Sequence, residues 1–226
     1  MSWFVSYVRS SVGAKQLMAV TGLGLVLFAI VHMIGHLGMF SGRDHYNAYA
    51  HFLQGLGGLK WIARGGLLTL FVVHMITGIS LARANAAARP QKYVVQRYTR
   101  TTFYARTMAL TGMVVMAFIV YHLMHFTLGW IQPDYFHHTD DKGRYDAYSM
   151  FVLGFKNTGI LISYLVAVTL FCIHLAHGAG SWLQSLGLNH PKYAVITKNA
   201  GPGLALILIA GYLAPPLGVA FNLIKL

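Results

Sequence analysis

Five long apolar stretches alternate with short polar segments along the 226-residue chain. Each stretch approaches or exceeds the roughly 20 apolar residues that an α-helix needs to cross the hydrocarbon core of a bilayer. Charged or turn-forming residues bound every stretch, as is typical of membrane spans joined by loops. The pattern predicts an all-α integral membrane bundle of five transmembrane helices, forming one domain over residues 1–226. The helices are expected at approximately 16–42, 61–84, 105–131, 157–186 and 201–224.

Composition narrows the possible chemistry. The chain is 56% hydrophobic and 10% charged, whereas a soluble domain is about a quarter charged. Its net charge is +12, but the basic residues lie between apolar stretches, which indicates a lipid bilayer and no nucleic acid as partner. The chain contains no Glu, which excludes a paired-glutamate acid/base site. The single cysteine, Cys172, excludes an internal disulfide, a structural zinc site and an iron–sulfur cluster on this chain.

The loop charges predict the orientation. With the amino terminus in the cytoplasm, the cytoplasmic segments hold ten Lys and Arg residues and no acid. The opposite segments hold seven Lys and Arg residues and all five Asp residues. This distribution agrees with the positive-inside rule. We therefore expect a cytoplasmic amino terminus and a carboxyl terminus on the outer side.

A sequence repeat relates the first two spans to the next two. The pattern TG-x5-F-x3-H begins at Thr21 in the first span and at Thr111 in the third, and F-x2-H-x3-G occurs in the second and fourth. The first four helices are therefore expected to form an approximate two-helix repeat. The patterns align four histidines, one in each of these spans: His32 with His122, and His74 with His174.

Depth in the membrane pairs the same histidines. Spans one and three both run outward and carry His32 and His122 past their midpoints, which places this pair in the outer half of the bilayer. Spans two and four run inward and carry His74 and His174 past their midpoints, which places that pair in the inner half. Two facing histidines can supply both axial nitrogens of a haem iron. Gly78 and Gly178, one turn after their histidines, leave space for a flat macrocycle. A single membrane histidine is more often a hydrogen-bonded packing residue, but four in register favour ligands.

The other eight histidines divide into two groups. Three lie one turn from a predicted ligand without matching the repeat, and they are expected to contact a cofactor edge or a quinone, or to satisfy loop carbonyls: His36, His125 and His177. Five are predicted to lie in loops: His45, His51, His137, His138 and His190. Cys172 is predicted to be a small packing residue.

The runs TGLGLVLFAIVHMIGH, HYNAYAHFL, YHLMHF and IHLAHG resemble the five-helix dihaem cytochrome b subunit of succinate:quinone and fumarate oxidoreductases, over nearly the whole chain. The resemblance implies two b haems, the outer held by His32 and His122 and the inner by His74 and His174. It implies a bacterial-type cytoplasmic membrane and two partner subunits, a flavoprotein with FAD and an iron–sulfur protein. This chain then has no dicarboxylate site of its own.

The same resemblance implies a route for electrons and a docking surface. Electrons pass from the iron–sulfur partner to the inner haem, then to the outer haem and to a quinone such as menaquinone. The acid-free segment Arg83–Arg106 is expected to dock the hydrophilic subunits. The quinone is expected near polar residues of the outer face: His36, Asp44, His45, His51 and His125.

The chain departs from the family at two places. Some members move protons through a buried glutamate near the fourth ligand, where this chain has Phe171, Cys172 and Ile173, so proton transfer by that route is not expected. Members also often carry Asn where this chain has His36 and His177.

Two other functions remain open from the sequence. One is the haem b subunit of a hydrogenase or a formate dehydrogenase, which also uses few helices and histidine-ligated haems. The other is a transporter in which the paired histidines bind a bare metal ion or relay protons.

Overall fold

A computed structural model describes residues 2–88, 91, 101–188 and 190–226. This part of the chain contains eight α-helices: α1 (Trp3–Arg9), α2 (Ser11–Leu37), α3 (Arg43–Gln54), α4 (Gly58–Ala87), α5 (Phe103–Phe126), α6 (Ala147–Lys156), α7 (Thr158–Ser185) and α8 (Ala194–Ala220). Within the described ranges there is no strand, only one isolated bridge between Thr139 and Tyr145. The helices α2, α4, α5, α7 and α8 are long and apolar enough to cross a membrane. The predicted all-α class with five membrane-spanning helices is confirmed.

The helix ends differ from the expected bounds where local hydrogen bonding decides them. The helix α5 ends at Phe126, earlier than the apolar pattern suggested. The amide of Leu128 donates to the carbonyl of Leu123 at 2.8 Å, and Gly129 has a left-handed φ of 65°, which is a common way to end a helix. The helix α2 begins at Ser11, earlier than the predicted residue 16, because Ser10 caps it. The Gly13 amide donates a hydrogen bond to Ser10 Oγ at 3.1 Å.

Three short helices lie outside the spans and were not predicted: α1, α3 and α6. The expectation that His45 and His51 lie in a loop is wrong, because both are on α3. The helix α3, with the sequence RDHYNAYAHFLQ, buries Tyr46 and Asn47 on one face, and its other face is polar. Its apolar stripe is too short to resemble a membrane span.

The described residues fall into two compact units, and each long helix contributes a segment to both. Unit 1 comprises Met1–Phe28, Gly65–Met113 and Ile173–Ala205; unit 2 comprises Ala29–Arg64, Val114–Cys172 and Leu206–Leu226. The single domain over residues 1–226 stays a prediction.

Unit 1 depends on close helix packing. A Cβ added at Gly201 of α8 would clash with the carbonyl oxygen of Ala176 on α7, so only glycine permits this approach of the two backbones. In contrast, α4 has no buried residue along its whole length. The segments of α2, α7 and α8 therefore provide most of the packed interior of this unit, including Ala19, Ala176 and Ala205.

Unit 2 contains a buried apolar cluster centred on α6. Its members are Met39, Tyr46, Ala147, Tyr148, Phe151, Val152, Phe155, Tyr164, Val219 and Ile224. A polar network borders this cluster outside the spans. Asp146 caps α6 and accepts hydrogen bonds from Ser149 at 3.0 Å, from Asn47 at 2.9 Å and from Arg43 at 2.6 Å.

Burial and hydrogen bonding act in opposite directions on Asp146. Burial alone would raise the pKa of its carboxyl, but the bonds from Arg43, Ser149 and Asn47 outweigh burial and lower the pKa to about 2. The hydrogen bond from Arg144 likewise lowers the pKa of Asp140. Both carboxylates are therefore ionised at neutral pH and hold α3 against the segment that leads into α6.

Candidate functional site

Two pairs of histidines, one pair in each unit, form the candidate site. In unit 1, His74 of α4 and His174 of α7 have ring centroids 6.5 Å apart and ring planes at 70°. In unit 2, His32 of α2 and His122 of α5 have ring centroids 5.9 Å apart and ring planes at 88°. The structure thus brings together the same partners that sequence register and depth had paired.

Threonine hydroxyls fix both imidazoles of the unit 1 pair. Thr21 Oγ1 is 3.1 Å from His74 Nδ1, and Thr111 Oγ1 is 3.2 Å from His174 Nδ1. Each hydroxyl has a single proton, which it donates to a backbone carbonyl one turn earlier, at 2.7 and 2.9 Å. The Oγ1 atom therefore accepts from Nδ1–H. Both histidines are held in the tautomer whose Nε2 carries the lone pair, and that lone pair is what a metal needs.

The glycine after each threonine lies against the same imidazole. A Cβ at Gly22 would be 3.2 Å from His74 Cε1, and one at Gly112 would be 3.4 Å from His174 Cε1. The dipeptide Thr-Gly of the repeat therefore serves the histidine of the following span. The dipeptide recurs in the sequence repeat, and this recurrence is the only sequence feature that marks it. Its contact with the histidine is visible only in the structure.

The glycines predicted to admit a macrocycle differ from each other. A Cβ at Gly178 would meet no heavy atom within 4 Å, which agrees with open space beside the helix. A Cβ at Gly78 would lie 3.5 Å from the methyl group of Met18, an ordinary contact. The space beside α7 is thus available, whereas the space beside α4 is bounded by a flexible methionine.

The unit 2 pair has different neighbours. His32 Nε2 is 3.2 Å from His36 Nε2, and His36 Nδ1 is 3.0 Å from the hydroxyl of Tyr46. Among the described residues, His122 Nδ1 is buried without a hydrogen-bond partner. The arrangement therefore connects His32 to the extramembrane helix α3 through His36 and Tyr46, and it leaves one polar atom of His122 unsatisfied.

Tyr212 of α8 also belongs to the surroundings of His32. In the sequence it is marked only as an aromatic residue in an otherwise aliphatic span. Its hydroxyl donates to the carbonyl of Ala29 at 2.6 Å, one turn before His32 on the same helix. Its ring centroid is 6.3 Å from that of His32. Span five is thereby tied to the segment of α2 that carries the histidine.

The five residues predicted to surround a quinone have different surroundings in the structure. His125 is 2% exposed, and both its ring nitrogens are engaged at 3.0 Å, Nδ1 by Tyr164 and Nε2 by Gln132. Asp44 is exposed and pairs with Lys142 and Arg144. His36 is bonded to Tyr46, and His45 and His51 are exposed on α3.

An open cavity of about 370 Å³ lies in unit 2. Its lining residues are Gln54, Arg64, Phe126, Thr127, Phe136, His137, His138, Thr139 and Tyr145. None of the five predicted quinone residues lines it. Phe126 connects the cavity to the histidine pair, because its ring centroid is 5.7 Å from that of His122. The sequence could not reveal this cavity, because its walls come from segments far apart in the chain.

The donor sets suit a haem better than a bare ion. Two imidazoles that point Nε2 at one metal from about 2 Å have centroids about 6 Å apart, close to both observed separations. Among the residues that the structure describes, no three His, Cys, Asp or Glu side chains are placed to hold a metal ion. A pair of histidines instead suits an iron whose other four ligands come from a macrocycle. In unit 1 the Nε2 lone pairs of both histidines are available to such an iron. In unit 2 the contact between His32 Nε2 and His36 Nε2 would have to break first.

The basic segment predicted to dock partner subunits is described only in part. Arg83 lies near the end of α4 and Arg106 in the first turns of α5. Its other basic residues lie outside the described residues: Arg89, Lys92, Arg97 and Arg100. Comparisons of the chain with protein-family models, with curated proteins and with solved structures found no match.

Proposed function

We propose that the chain is the cytochrome b membrane subunit of a succinate:quinone oxidoreductase, holding one b haem between His74 and His174 and a second between His32 and His122. The unit 1 pair carries the proposal: two histidines at 6.5 Å, each fixed by a threonine in the metal-binding tautomer. The sequence repeat supports the equivalent role for the unit 2 pair.

The protein's own residues orient ligands and exclude water. When bound, each haem supplies an iron centre that gains and loses one electron. Thr21 and Thr111 hold the imidazoles of unit 1, and Tyr212 holds the segment that carries His32. The apolar spans around both pairs keep water away, which favours electron transfer over side reactions. His125 is a positioning residue here, because its two hydrogen bonds tie α5 to α7 and to the segment at Gln132.

The partners follow from the charge distribution and the resemblance together. A flavoprotein carrying FAD and an iron–sulfur subunit bind on the cytoplasmic side, where the acid-free segment between α4 and α5 attracts acidic surfaces. The amino terminus is cytoplasmic and the carboxyl terminus outside, in a bacterial-type cytoplasmic membrane. Dicarboxylate chemistry takes place on the flavoprotein.

The unit 2 cavity replaces the predicted quinone residues as the proposed quinone site. Reduction of a quinone to a quinol takes up two protons, and Arg64, His137 and His138 supply hydrogen-bond donors for the quinone oxygens. Phe126 and Phe136 offer flat apolar walls for the ring. Replacing Arg64 by Gln or His138 by Ala is expected to raise the KM for a menaquinone analogue about tenfold, the effect of one lost polar contact. His51→Ala, on exposed α3, should leave the KM unchanged; an equal rise there would remove the cavity from consideration.

Spectroscopy and subunit identification test the function as a whole. The purified chain should show a b-type band in its reduced-minus-oxidised spectrum and hold two haems. A flavoprotein and an iron–sulfur protein should co-purify with it from membranes. Absence of haem would overturn the cytochrome assignment, and a nickel or molybdenum subunit in place of the flavoprotein would support a hydrogenase or formate dehydrogenase.

One observation favours a second candidate, a proton-relaying transporter. The hydrogen-bonded series Tyr46, His36 and His32 is the kind of arrangement that relays protons. In that case, vesicles containing the chain alone should show proton uptake that His36→Ala abolishes. A cytochrome subunit shows no such uptake and keeps its haem spectrum in the same variant.

A further inference from the structure

The two Thr-Gly dipeptides make the same contact in two different helical hairpins. Thr21 of α2 contacts His74 of α4, and Thr111 of α5 contacts His174 of α7. Both threonines are 4% exposed, so neither hydroxyl has water as an alternative partner. Two equivalent buried contacts to one pair of histidines indicate a role at the ligands rather than in general packing.

We propose that Thr21 and Thr111 are positioning residues that set the orientation and the electron-donating strength of the unit 1 haem ligands; this inference rests on the proposed function. A hydrogen bond from Nδ1–H to an acceptor makes the imidazole a stronger base at Nε2. A more basic ligand stabilises ferric over ferrous iron. The two hydroxyls therefore lower the midpoint potential of the haem held by His74 and His174.

The adjacent glycines make this contact possible. With a side chain at Gly22 or Gly112, a Cβ would stand 3.2 or 3.4 Å from the imidazole Cε1, and the ring would have to move away from the hydroxyl. Threonine supplies the acceptor and glycine supplies the room, which gives a physical reason for both residues of the repeated dipeptide. In unit 2 the neighbour of His32 Nε2 is another histidine, His36, whose Nε2 lies 3.2 Å away.

The test compares isosteric variants in the intact complex. Thr21→Val and Thr111→Val keep the shape and remove the hydroxyl acceptor, but leave the backbone carbonyls of Met18 and Met108, which also accept from His74 and His174. Thr21→Ser and Thr111→Ser keep the hydroxyl. Thr107→Val is a matched control, because the Thr107 hydroxyl bonds only backbone carbonyls of its own helix. A redox titration followed by haem absorbance should show one of two haem waves shifted to higher potential in each Val variant. The other wave, and both waves in the Ser and Thr107 variants, should stay in place.

Three outcomes overturn the inference. They are unshifted waves in both Val variants, equal shifts of both waves, and a shift in the Ser variants as large as in the Val variants. If a Val variant loses one haem altogether, retention of that haem in the Ser variant supports the inference and its loss in both contradicts it. A wild-type complex with no haem would instead refute the proposed function itself. Two haems with unmoved potentials refute this inference alone.

Discussion

The two histidine pairs have similar ring separations, but different residues contact and orient their rings. The unit 1 pair depends on contacts between membrane-spanning helices, with threonine hydroxyls at Nδ1 of both rings. The unit 2 pair is connected through His36 and Tyr46 to α3, which a charged network holds outside the spans. The two pairs aligned by the sequence repeat therefore have similar separations but different neighbouring residues. Each pair should respond to a different set of mutations.

Under the proposed function, the largest expected effect is the loss of one haem when one of the four paired histidines is removed. His174→Ala should reduce the haem content from two to one per chain, because one axial nitrogen of the unit 1 site is lost. His177→Ala, one turn further along α7, should retain two haems. Haem is measured by its pyridine complex after purification. Two haems in the His174 variant, or one in the His177 variant, would contradict the ligand assignment.

The helix packing of unit 1 can be disrupted at Gly201, where α8 closely approaches α7. In Gly201→Ala the new Cβ would meet the carbonyl of Ala176 and the amide of Gly180, and backbone cannot move aside as a side chain would. We expect a destabilisation of about 1–3 kcal/mol from this overpacking. At Gly203 an added Cβ meets nothing within 4 Å, so Gly203→Ala should be neutral or stabilising by up to about 1 kcal/mol. Thermal unfolding in detergent measures both; equal effects would show that the close approach is not important.

The support of unit 2 can be broken at Asp146. Its side chain is 2% exposed, and Asp146→Ala removes the cap of α6 and the partners of Arg43 and Asn47. We expect about 3 kcal/mol of destabilisation, less than for a fully buried ion pair because Arg43 is 42% exposed. Asp141→Asn, at an exposed neighbouring position, should have no measurable effect. If the Asp146 variant unfolds at the wild-type temperature, the network does not support α3.

The smallest expected effect is a difference in acid sensitivity. The pKa of Asp146 is about 2 in the folded chain against an ordinary 3.8, so its stabilisation is complete above pH 4 and is lost as the pH falls through 2. The melting temperature should therefore fall between pH 4 and 2, and the haem of the unit 2 pair should be released before that of unit 1. In Asp146→Ala this part of the pH dependence should disappear. An unchanged pH profile in that variant would exclude Asp146 as its source.

The sequence predicted features that depend on a single helix or on register between helices. Hydropathy was sufficient for the five spans, and the repeat was sufficient to pair His74 with His174. The role of Thr21 was not predictable, because it depends on how α2 is rotated toward α4, and hydropathy carries no such information. The same holds for the ion pair of Arg43 with Asp146, which joins residues distant in the chain. The quinone residues stay a prediction, because polarity near the outer face does not show which side chains share a cavity.

The Thr–His contacts have a consequence for biogenesis. Each joins two consecutive spans, so it can form as soon as one helical hairpin has closed in the membrane, before the rest of the chain has been synthesised. Each hairpin thus presents a histidine that is already oriented, and the docking of one hairpin against the other completes the pair. The His74–His174 pair then lies where the two hairpins meet.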